Sequence, residues 1–459
     1  MEATAEYERK LDAPEGFELP DLGGEPLEPR VFTSIYHDTP DRSLSRAGLT
    51  LRRRTERGRS VWQLKLPAGD ARLELEEPGG PAGPPEALAR LLVAHLRHGA
   101  VAPIAELHTR RHGTLVARNG TTAEVTIDDV SVMDALRVVE EFVEVEVELR
   151  TGKPKELDAI ADALEHAGAR PSDGTPKVFR VLRMPTEDTA PDDALAALRA
   201  RLRAQLRTVL ANDPGARLGR DPESVHDMRV AVRRSRALLR AGSKLYTDDV
   251  SALADELRWL GEKLGAVRDL DVLVDRLRGK VEELDEADRA SGRLLVRTLE
   301  RRRRSARTSL LKALGGDRYF ALLDRFGAAI DELTASGSDL TVRDLARGEL
   351  KKLRRQARST PADASDDELH ALRKRGKRVR YAYELAGKDA AVKRAKELQD
   401  VLGEHQDSVV AETTLRELAA AAPERAVAAG RLIERERGLR TGARASWLKA
   451  WRRLERATQ

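Results

Sequence analysis

Hydrophobic and polar residues alternate along the first third of the chain and recur with a helical period along the rest. Five short stretches place apolar side chains at every second position: "LTLRRRTE", "VWQLKLP", "ARLELEE", "AEVTIDDV" and "FVEVEVEL". Alternation with period two, interrupted by turn sequences, predicts half-buried antiparallel strands. Residues 85–99 and 153–168 have helical spacing instead. The pattern predicts an antiparallel sheet with flanking helices.

From Ala194 onward nearly every segment is helical in pattern. Long stretches of Ala, Leu, Arg and Glu repeat with a 3.6-residue period and are separated by short breakers, among them "NDPGARLGRDP" at residues 212–222. The Pro-rich, acidic segment before Ala194 is typical of a linker. We therefore predict a multidomain α and β protein: a β domain over 1–184, a linker over 185–193 and an all-α bundle over 194–459.

The helical half contains an internal repeat. The segment "VHDMRVAVRRSRALLRAG" (225–242) aligns with "LHALRKRGKRVRYAYELAG" (369–387), which places His226 over His370 and Arg229 over Arg373. Further along, "LGAVRDLDVLV" aligns with "LGEHQDSVVAE". Two similar helical units side by side are the simplest explanation.

Charge divides the chain at the same place as the pattern. Residues 1–190 contain 25 Lys and Arg against 34 Asp and Glu, whereas residues 191–459 contain 57 against 43. A strongly basic half indicates a polyanionic partner, although an Arg-rich solvated helical surface has the same composition. The absence of Cys excludes a disulfide scaffold, a thiol nucleophile and Cys-based metal sites, and it favours a reducing cytosol.

The polar faces of the predicted strands carry clustered charges. Arg52 and Arg54 share one face, whereas the late strand "FVEVEVEL" places three glutamates on one face and valines on the other. The simplest interpretation is a sheet whose polar face meets water. A small closed barrel would instead turn these faces inward, where carboxylates could bind Mg²⁺ or Mn²⁺ and basic residues could bind phosphate. The alternation alone leaves both interpretations open.

The start of the chain resembles a known family. "EYERK" (6–10) is similar to the ExExK signature of CYTH domains, the triphosphate tunnel metalloenzymes. "IYHDTPDRSLSRAGLTLRRR", "WQLKLP", "RLELEE", "TRR", "TIDD", "VEVEVEL" and "GTPKVFRVL" resemble later family segments in the same order. The resemblance covers about residues 3–184. It implies a tunnel-shaped antiparallel β-barrel and metal-assisted hydrolysis or cyclisation of triphosphorylated substrates.

The resemblance also implies site residues. The predicted catalytic residues are Glu6, Glu8 and Lys10, and the predicted ligands of Mg²⁺ or Mn²⁺ are Glu6, Glu8, Asp128, Glu144 and Glu146. The predicted substrate-binding residues are Arg52, Arg54, Lys65, Arg72, Arg111, Lys177 and Arg180. Strand register decides which two late-strand glutamates face the metal, and whether Arg110 takes the place of Arg111.

Two basic stripes mark the helical half. Asp221 and Pro222 predict a helix start, and basic residues follow His226 at spacings of three and four. "VHDMRVAVRRSR", "LGAVRDLDVL", "LHALRKRGKRVRYAYEL" and "LQDVLGEHQD" resemble the CHAD domain, a two-fold repeated helical bundle, over roughly residues 194–455. The resemblance implies binding of inorganic polyphosphate by His226, Arg229, Arg233, Arg236, His370, Arg373, Lys374, Lys377, Arg378 and Arg380.

The expected function is a metal-dependent triphosphatase that acts on inorganic triphosphate or polyphosphate ends, with a helical domain that binds polyphosphate. A non-catalytic polyphosphate scaffold and an enzyme of the thiamine triphosphatase or adenylate cyclase type are the alternatives. Duplex DNA could also bind through its phosphates, but with aromatic residues at 3% of the chain, single-stranded nucleic acid is disfavoured. We expect a cytoplasmic protein, free of membrane and associated with polyphosphate granules.

Overall fold

The computed structural model describes residues 1–69, 71–172, 176–182, 193–387 and 389–458. The chain forms two compact units: residues 1–188 with 210–224, and residues 189–209 with 225–459. The predicted linker, residues 185–193, lies outside the described residues except for Asp193. The predicted domain limits therefore stay predictions.

The first unit is built around one antiparallel sheet. Its described strands are Glu2–Glu6 (β1), Glu8–Ala13 (β2), Glu25–Pro26 (β3), Arg30–Asp38 (β4), Thr50–Glu56 (β5), Arg59–Ala68 (β6), Ala71–Pro78 (β7), Ala102–Arg118 (β8), Thr121–Asp134 (β9), Arg137–Thr151 (β10) and Arg170–Pro171 (β11). Their order is β1-β7-β6-β5-β4-β8-β9-β10-β2-β11, with β3 paired to β8. The predicted antiparallel sheet is confirmed.

The sheet is not closed, so the expectation of a closed barrel is wrong in that respect. Strand β1 pairs with β7 and strand β2 pairs with β10 and β11, but among the described strands no ladder joins β1 to β2. Only Tyr7 separates these two strands in the sequence, and its carbonyl accepts a hydrogen bond from the Leu149 amide at 2.9 Å. The sheet therefore curls until its two ends meet along the backbone rather than through a ladder.

Alternation sets the faces of the sheet as predicted. Leu11, Val125 and Val145 are fully buried and pack under helix α4 (Glu156–His166), because every second side chain of their strands points to that face. Residues 85–99 form two short helices, α2 (Glu86–Ala89) and α3 (Val93–Leu96), rather than one continuous helix. The break lets leucines of both segments pack on the same core cluster. Helices α1 (Ser43–Arg46) and α5 (Lys177–Val181) complete the described elements of this unit before residue 183.

The rest of the chain is helical. The helices are Ala194–Leu218 (α6), Pro222–Ala241 (α7), Ser251–Glu282 (α8), Glu286–Leu314 (α9), Asp317–Glu332 (α10), Val342–Ser359 (α11), Asp366–Leu385 (α12), Asp389–Ala421 (α13) and Ala426–Ala457 (α14), with a short 3₁₀ turn at Pro423–Arg425. Among the described helices none is long and apolar enough to cross a membrane.

Helix α6 extends into the predicted breaker at residues 212–222. It contains Pro214 and ends at Leu218, so the prediction of a break at its start is wrong. Leu210, Ala211 and Leu218 pack against the core of the first unit, which compensates for the hydrogen bond that proline cannot donate. The new helix nevertheless begins where predicted, at Pro222, after Asp221 accepts a hydrogen bond from the Glu223 amide at 2.9 Å.

Two apolar clusters hold the helical bundle together. One is formed by helices α11 to α14 around the buried Trp447, and the other by helices α8, α9, α13 and α14. Helices α11 and α12 both begin with a capping box, at Thr341 and Ser365, in which side chain and backbone satisfy each other's hydrogen bonds. Helix α12, which carries the second basic stripe, is thus fixed in a packed bundle.

Candidate functional site

The polar face of the sheet encloses a cavity of about 210 Å³. Strands from both ends of the sheet order contribute to its wall. The lining side chains are those of Glu6, Glu8, Lys10, Arg30, Tyr36, Thr50, Arg52, Arg54, Gln63, Lys65, Arg72, Glu74, Glu76, Arg111, Glu146, Glu148, Arg150, Pro176 and Lys177. The cavity is therefore almost wholly polar and carries charges of both signs.

Buried ion pairs form one wall of the cavity. Lys177 contacts Asp128 and lies 3.2 Å from Glu144 and 3.0 Å from Glu146. Lys10 lies 3.3 Å from Glu144 and 3.0 Å from Glu146. Helix α5 supplies Lys177, and the pairing of β10 with β2 places Lys10 directly opposite Glu146. Lys10 and Lys177 thus share the carboxylates of Glu144 and Glu146.

The carboxylates decide the protonation of these cations. Burial opposes the charge on Lys10, but Glu146, Glu144 and Glu8 outweigh it and raise the pKa of Lys10 well above its usual value. Burial likewise opposes the charge on Lys177, and its carboxylate neighbours raise that pKa as well. Both amines are therefore charged at neutral pH and available to phosphate oxygens.

Arginines also line the cavity. Arg111 is paired to Asp128 by two hydrogen bonds of 2.6 Å, whereas Arg110 is exposed and does not line the cavity. Arg52 donates a 3.2 Å hydrogen bond to the Tyr36 hydroxyl, and its pKa is raised by Tyr36 and Glu74 against the effect of burial. Register thus selects Arg111 rather than its neighbour as the residue that faces the cavity.

The Glu-x-Glu motif opens onto the cavity. Glu6 accepts a 2.6 Å hydrogen bond from Lys65, and burial together with Glu74 raises the pKa of Glu6. Burial also raises the pKa of Glu148, with a further contribution from Glu6. Burial and neighbouring carboxylates outweigh Lys65 at Glu6 and Arg150 at Glu148, which is the condition in which an additional cation would be favourable.

The carboxylate oxygens of the cavity are chemically suited to bind a hard divalent cation. Carboxylate oxygens are preferred by Mg²⁺ and Mn²⁺, and Oε1 of Glu74 is buried among the described atoms without a hydrogen-bond partner. Across the described residues, however, no three or more His, Asp or Glu side chains stand together as a ready metal-binding group. Glu6 and Glu8 would hold such a cation, because they face the cavity on either side of the β1–β2 junction.

Three predicted site residues do not line the cavity. Asp128 and Glu144 are fully buried behind Lys177 and Lys10, so they position these cations instead of facing the open space. Arg180 pairs with Asp12 and lies 3.7 Å from Glu144. Sequence reasoning missed Arg30 and Gln63, together with Glu74 and Glu76 of β7. Gln63 shares a strand face with Lys65, and the two glutamates share a strand face with Arg72. This alternation was the signal that could have found them.

The helical unit gathers a second set of charged residues. Arg229 of α7 pairs with Asp269 of α8 at 2.8 Å, and Arg233 donates a 3.0 Å hydrogen bond to the Tyr381 hydroxyl of α12. Arg373 and Lys377 of α12 belong to the same group, because Arg229 and Arg233 lower the pKa of both. We call Arg229, Arg233, Arg373, Lys377 and Arg380 the basic cluster.

Cations outnumber carboxylates in the basic cluster. Burial, followed by Arg373, Arg233, Arg229 and Arg380, lowers the pKa of Lys377 to about 7. Burial raises the pKa of Asp407 against the effect of Arg373. This uncompensated positive charge is the electrostatic condition of an anion-binding site.

Arg229 and Arg373, at matching positions of the repeat, pack in the same way. A Cβ atom on Gly265 would lie 3.5 Å from Nε of Arg229, and a Cβ on Gly403 would lie 3.8 Å from an Nη atom of Arg373. In both repeats, therefore, the arginine lies directly over a glycine of the following long helix. Neither glycine was predicted as part of the site, although both occur in the aligned "LG" motifs.

The other predicted residues of the helical unit lie elsewhere. The neighbours that lower the pKa of Arg236, after burial, are Arg258 and Arg240. Arg378 is similarly affected by Arg240 and Arg375, and Lys374 is exposed. His226 and His370 are half-buried, and His370 contacts the side-chain oxygen of Gln406. The structure thus brings together only part of the predicted polyphosphate-binding set.

Comparisons with known proteins agree with this division of the chain. The model of the CYTH domain matches residues 4–175, and that of the CHAD domain matches residues 200–416. The CHAD domain from the plant Ricinus communis is 28% identical, with a TM-score of 0.51, over 59% of this chain and 95% of that chain. The PH1819 protein from Pyrococcus horikoshii is 17% identical, with a TM-score of 0.27, over 39% of this chain and 100% of that chain.

One relative spans the whole arrangement. The uncharacterized protein Rv2226 of Mycobacterium tuberculosis is 33% identical to this chain, over 99% of this chain and 97% of its own length. The suspected fusion of two domains is confirmed by the two matched models. The chain belongs to the family of proteins in which a CYTH domain is followed by a CHAD domain.

Proposed function

We propose that the protein is a metal-dependent triphosphatase that acts on inorganic triphosphate or on polyphosphate ends, and that its helical unit binds inorganic polyphosphate. Residues 1–184 would be the catalytic domain, 185–193 the linker and 194–459 the polyphosphate-binding domain. The carrying observation is the cavity within the sheet, whose wall combines Lys and Arg side chains with carboxylates. The proposed location is the cytoplasm, in association with polyphosphate granules.

The cavity is suited to a compact inorganic anion. Nearly all of its lining side chains are charged or polar. Tyr36 is the one aromatic residue among the described lining side chains, and its hydroxyl is engaged by Arg52. No described lining residue therefore offers a free ring on which a nucleobase or thiazole could stack, which favours inorganic triphosphate over an organic one.

The chain's own residues would act mainly by position and charge. Lys10, Lys65, Arg52, Arg54, Arg111 and Lys177 would bind the phosphate oxygens and stabilise the charge that develops during in-line attack by water. Arg72 also lines the cavity and would join them. Mg²⁺ or Mn²⁺, when bound, would polarise the phosphoryl group. Asp128 and Glu144 would keep Lys177 and Lys10 charged and in place.

A test compares phosphate release from inorganic triphosphate with Mg²⁺ or Mn²⁺ by the full chain and by its Glu6→Ala, Glu8→Ala variant. We expect the variant to lose at least about 100-fold in rate, because it lacks the carboxylates that face the cavity. Glu15→Ala, Glu18→Ala is the matched control, since both glutamates are exposed. Equal rates in parent and double variant would sink the assignment of these ligands.

A non-catalytic polyphosphate scaffold is the second candidate function. The observation in its favour is that the described residues form no ready group of metal ligands, while the basic cluster carries uncompensated charge. In that case the full chain would bind polyphosphate but release no phosphate with either metal. Competition with duplex DNA at one fixed salt concentration would then show whether the basic cluster prefers polyphosphate.

A further inference from the structure

The cavity of the first unit continues beyond the residues assigned above. A second cavity of about 550 Å³ shares Arg30, Arg54, Gln63 and Glu76 with it and adds Arg57 and Arg59. On the other side, a third cavity of about 540 Å³ shares Glu6, Glu8, Lys10 and Arg72. Neighbouring cavities therefore adjoin one another, and we call the three of them together the passage.

Strand register explains where the passage leads. On β6, Lys65 and Gln63 face the central cavity, and alternation brings Arg59 to the same face. Arg59 pairs with Glu56 across the hairpin, next to the tight turn at Arg57 and Gly58. Because a strand advances about 3.3 Å per residue, Arg59 lies about 20 Å along the strand from Lys65. The passage is thus considerably longer than the central cavity alone.

The two ends of the passage differ in charge. We call Arg30, Arg54, Arg57 and Arg59 the arginine mouth, and its wall contains two carboxylates, those of Glu56 and Glu76. The opposite end is balanced, since three basic side chains face three glutamates there. An anion is therefore attracted at one end only, so the passage has a direction.

Other arginines crowd Arg54 of the arginine mouth. Burial, followed by Arg52, Arg30 and Arg111, lowers the pKa of Arg54 to about 10. Arg30 is paired with Glu56 through two hydrogen bonds of 2.8 and 2.7 Å, and Arg57 with Glu28. Arg57 and Arg59 are both exposed at the hairpin end.

We propose that the arginine mouth is a second anion subsite, which binds the phosphates of a linear polyphosphate that extend beyond the three held in the central cavity. The inference rests on the proposed function and specifies its substrate as chains longer than triphosphate. The chain would enter with one end directed towards Glu6 and Glu8. Each additional phosphate would contact guanidinium groups, which suit phosphate because they donate paired hydrogen bonds.

The test compares full-length parent with the variant Arg57→Gln, Arg59→Gln. We expect kcat/KM for long-chain polyphosphate to fall about tenfold, since two charge-assisted contacts are lost, while kcat/KM for triphosphate changes less than about twofold. The control Arg118→Gln, Arg137→Gln removes two exposed arginines of the same sheet that line none of the three cavities, and should change neither value. Equal effects on both substrates would overturn the subsite.

A binding measurement separates failure of the subsite from failure of the proposed function. The substitutions Arg229→Gln, Arg373→Gln and Lys377→Gln are added both to the parent and to the mouth variant, so that the helical unit contributes little binding. The two proteins are then titrated, without metal, with triphosphate and with long-chain polyphosphate. A loss of affinity confined to the long chain supports the subsite even if no phosphate is ever released. Unchanged long-chain affinity overturns the subsite, and leaves hydrolysis of triphosphate standing if that is observed.

Discussion

Lysines of the two units are in opposite electrostatic states. In the first unit, carboxylates surround Lys10 and Lys177 and raise the pKa of both amines. In the helical unit, Lys377 is surrounded by arginines and its pKa falls to about 7. A phosphate that enters the sheet cavity must displace carboxylate partners, whereas one that reaches the basic cluster relieves repulsion. Phosphate can thus be bound by basic side chains that are already paired with carboxylates or by basic side chains that repel one another.

Lys177→Met and Lys377→Met test this contrast most directly. Lys177→Met should change the free energy of unfolding more. Removing Lys177 leaves Asp128, Glu144 and Glu146 buried without one of their shared cations. We expect the free energy of unfolding to fall by about 3–5 kcal/mol, measured by chemical denaturation of the full chain. Lys155→Met, at an exposed position, is the control. An effect as small as that of the control would show that the carboxylates do not depend on Lys177.

The pH dependence of polyphosphate binding should give the next largest effect. Below about pH 7 Lys377 is charged with or without ligand, so binding takes up no proton. Above that pH the free amine is neutral, and a bound anion raises its pKa, so binding requires proton uptake. Affinity should therefore fall by up to about tenfold per pH unit between pH 7 and 9.

The charged groups that act on Lys377 are the arginines of the basic cluster, and Lys377 in turn lowers the pKa of the Asp407 carboxyl, which burial raises. Lys377→Arg should abolish most of the pH dependence, because guanidinium stays charged over this range. Phosphate end groups, whose second pKa is about 6, contribute little above pH 7. Titration calorimetry at fixed ionic strength measures the effect, and an equally steep profile in Lys377→Arg would contradict the prediction.

Lys377→Met is the counterpart of Lys177→Met and should change stability in the opposite direction. It removes a cation from repulsive surroundings, so we expect the free energy of unfolding to stay constant or to rise by about 0.5–2 kcal/mol. The same variant should bind polyphosphate more weakly. A loss of stability comparable with that of Lys177→Met would remove the contrast between the two units.

The smallest predicted effect is that of Tyr381→Phe. The Tyr381 hydroxyl accepts the hydrogen bond from Arg233 and is buried with its ring, and Arg380 lies over that ring at 4.9 Å. Loss of one such bond is worth about 1 kcal/mol, so polyphosphate affinity should fall about fivefold. Tyr383→Phe is the matched control on the same helix. The interpretation fails if Tyr381→Phe and Tyr383→Phe bind polyphosphate with equal affinity.

Local patterns predicted much of the fold because they are local in origin. Alternation was sufficient to place Arg52 and Arg54 on one face, and repeat alignment was sufficient to pair Arg229 with Arg373. Pro214 misled because packing of residues 210–218 within the core of the first unit outweighs the local cost of a proline.

Contacts between distant segments could not be predicted in the same way. Asp128 and Glu144 were expected to face a metal, but Lys177 from a later helix occupies the space beside them. In the helical unit the stripe of α7 divides, because Arg233 meets α12 while Arg236 meets Arg240 and Arg258. Which member of a stripe reaches a ligand is decided by neighbouring helices, and a single sequence does not contain that information.

The unpaired line between β1 and β2 has a consequence for ligand binding. Glu6 ends β1 and Glu8 begins β2, so the two carboxylates belong to strands that hydrogen-bond to different neighbours. A cation bound by both would connect the two ends of the sheet where no ladder does. Cation binding would then add mechanical stiffness to the wall of the cavity, and its release would let the wall widen without the loss of a single ladder hydrogen bond.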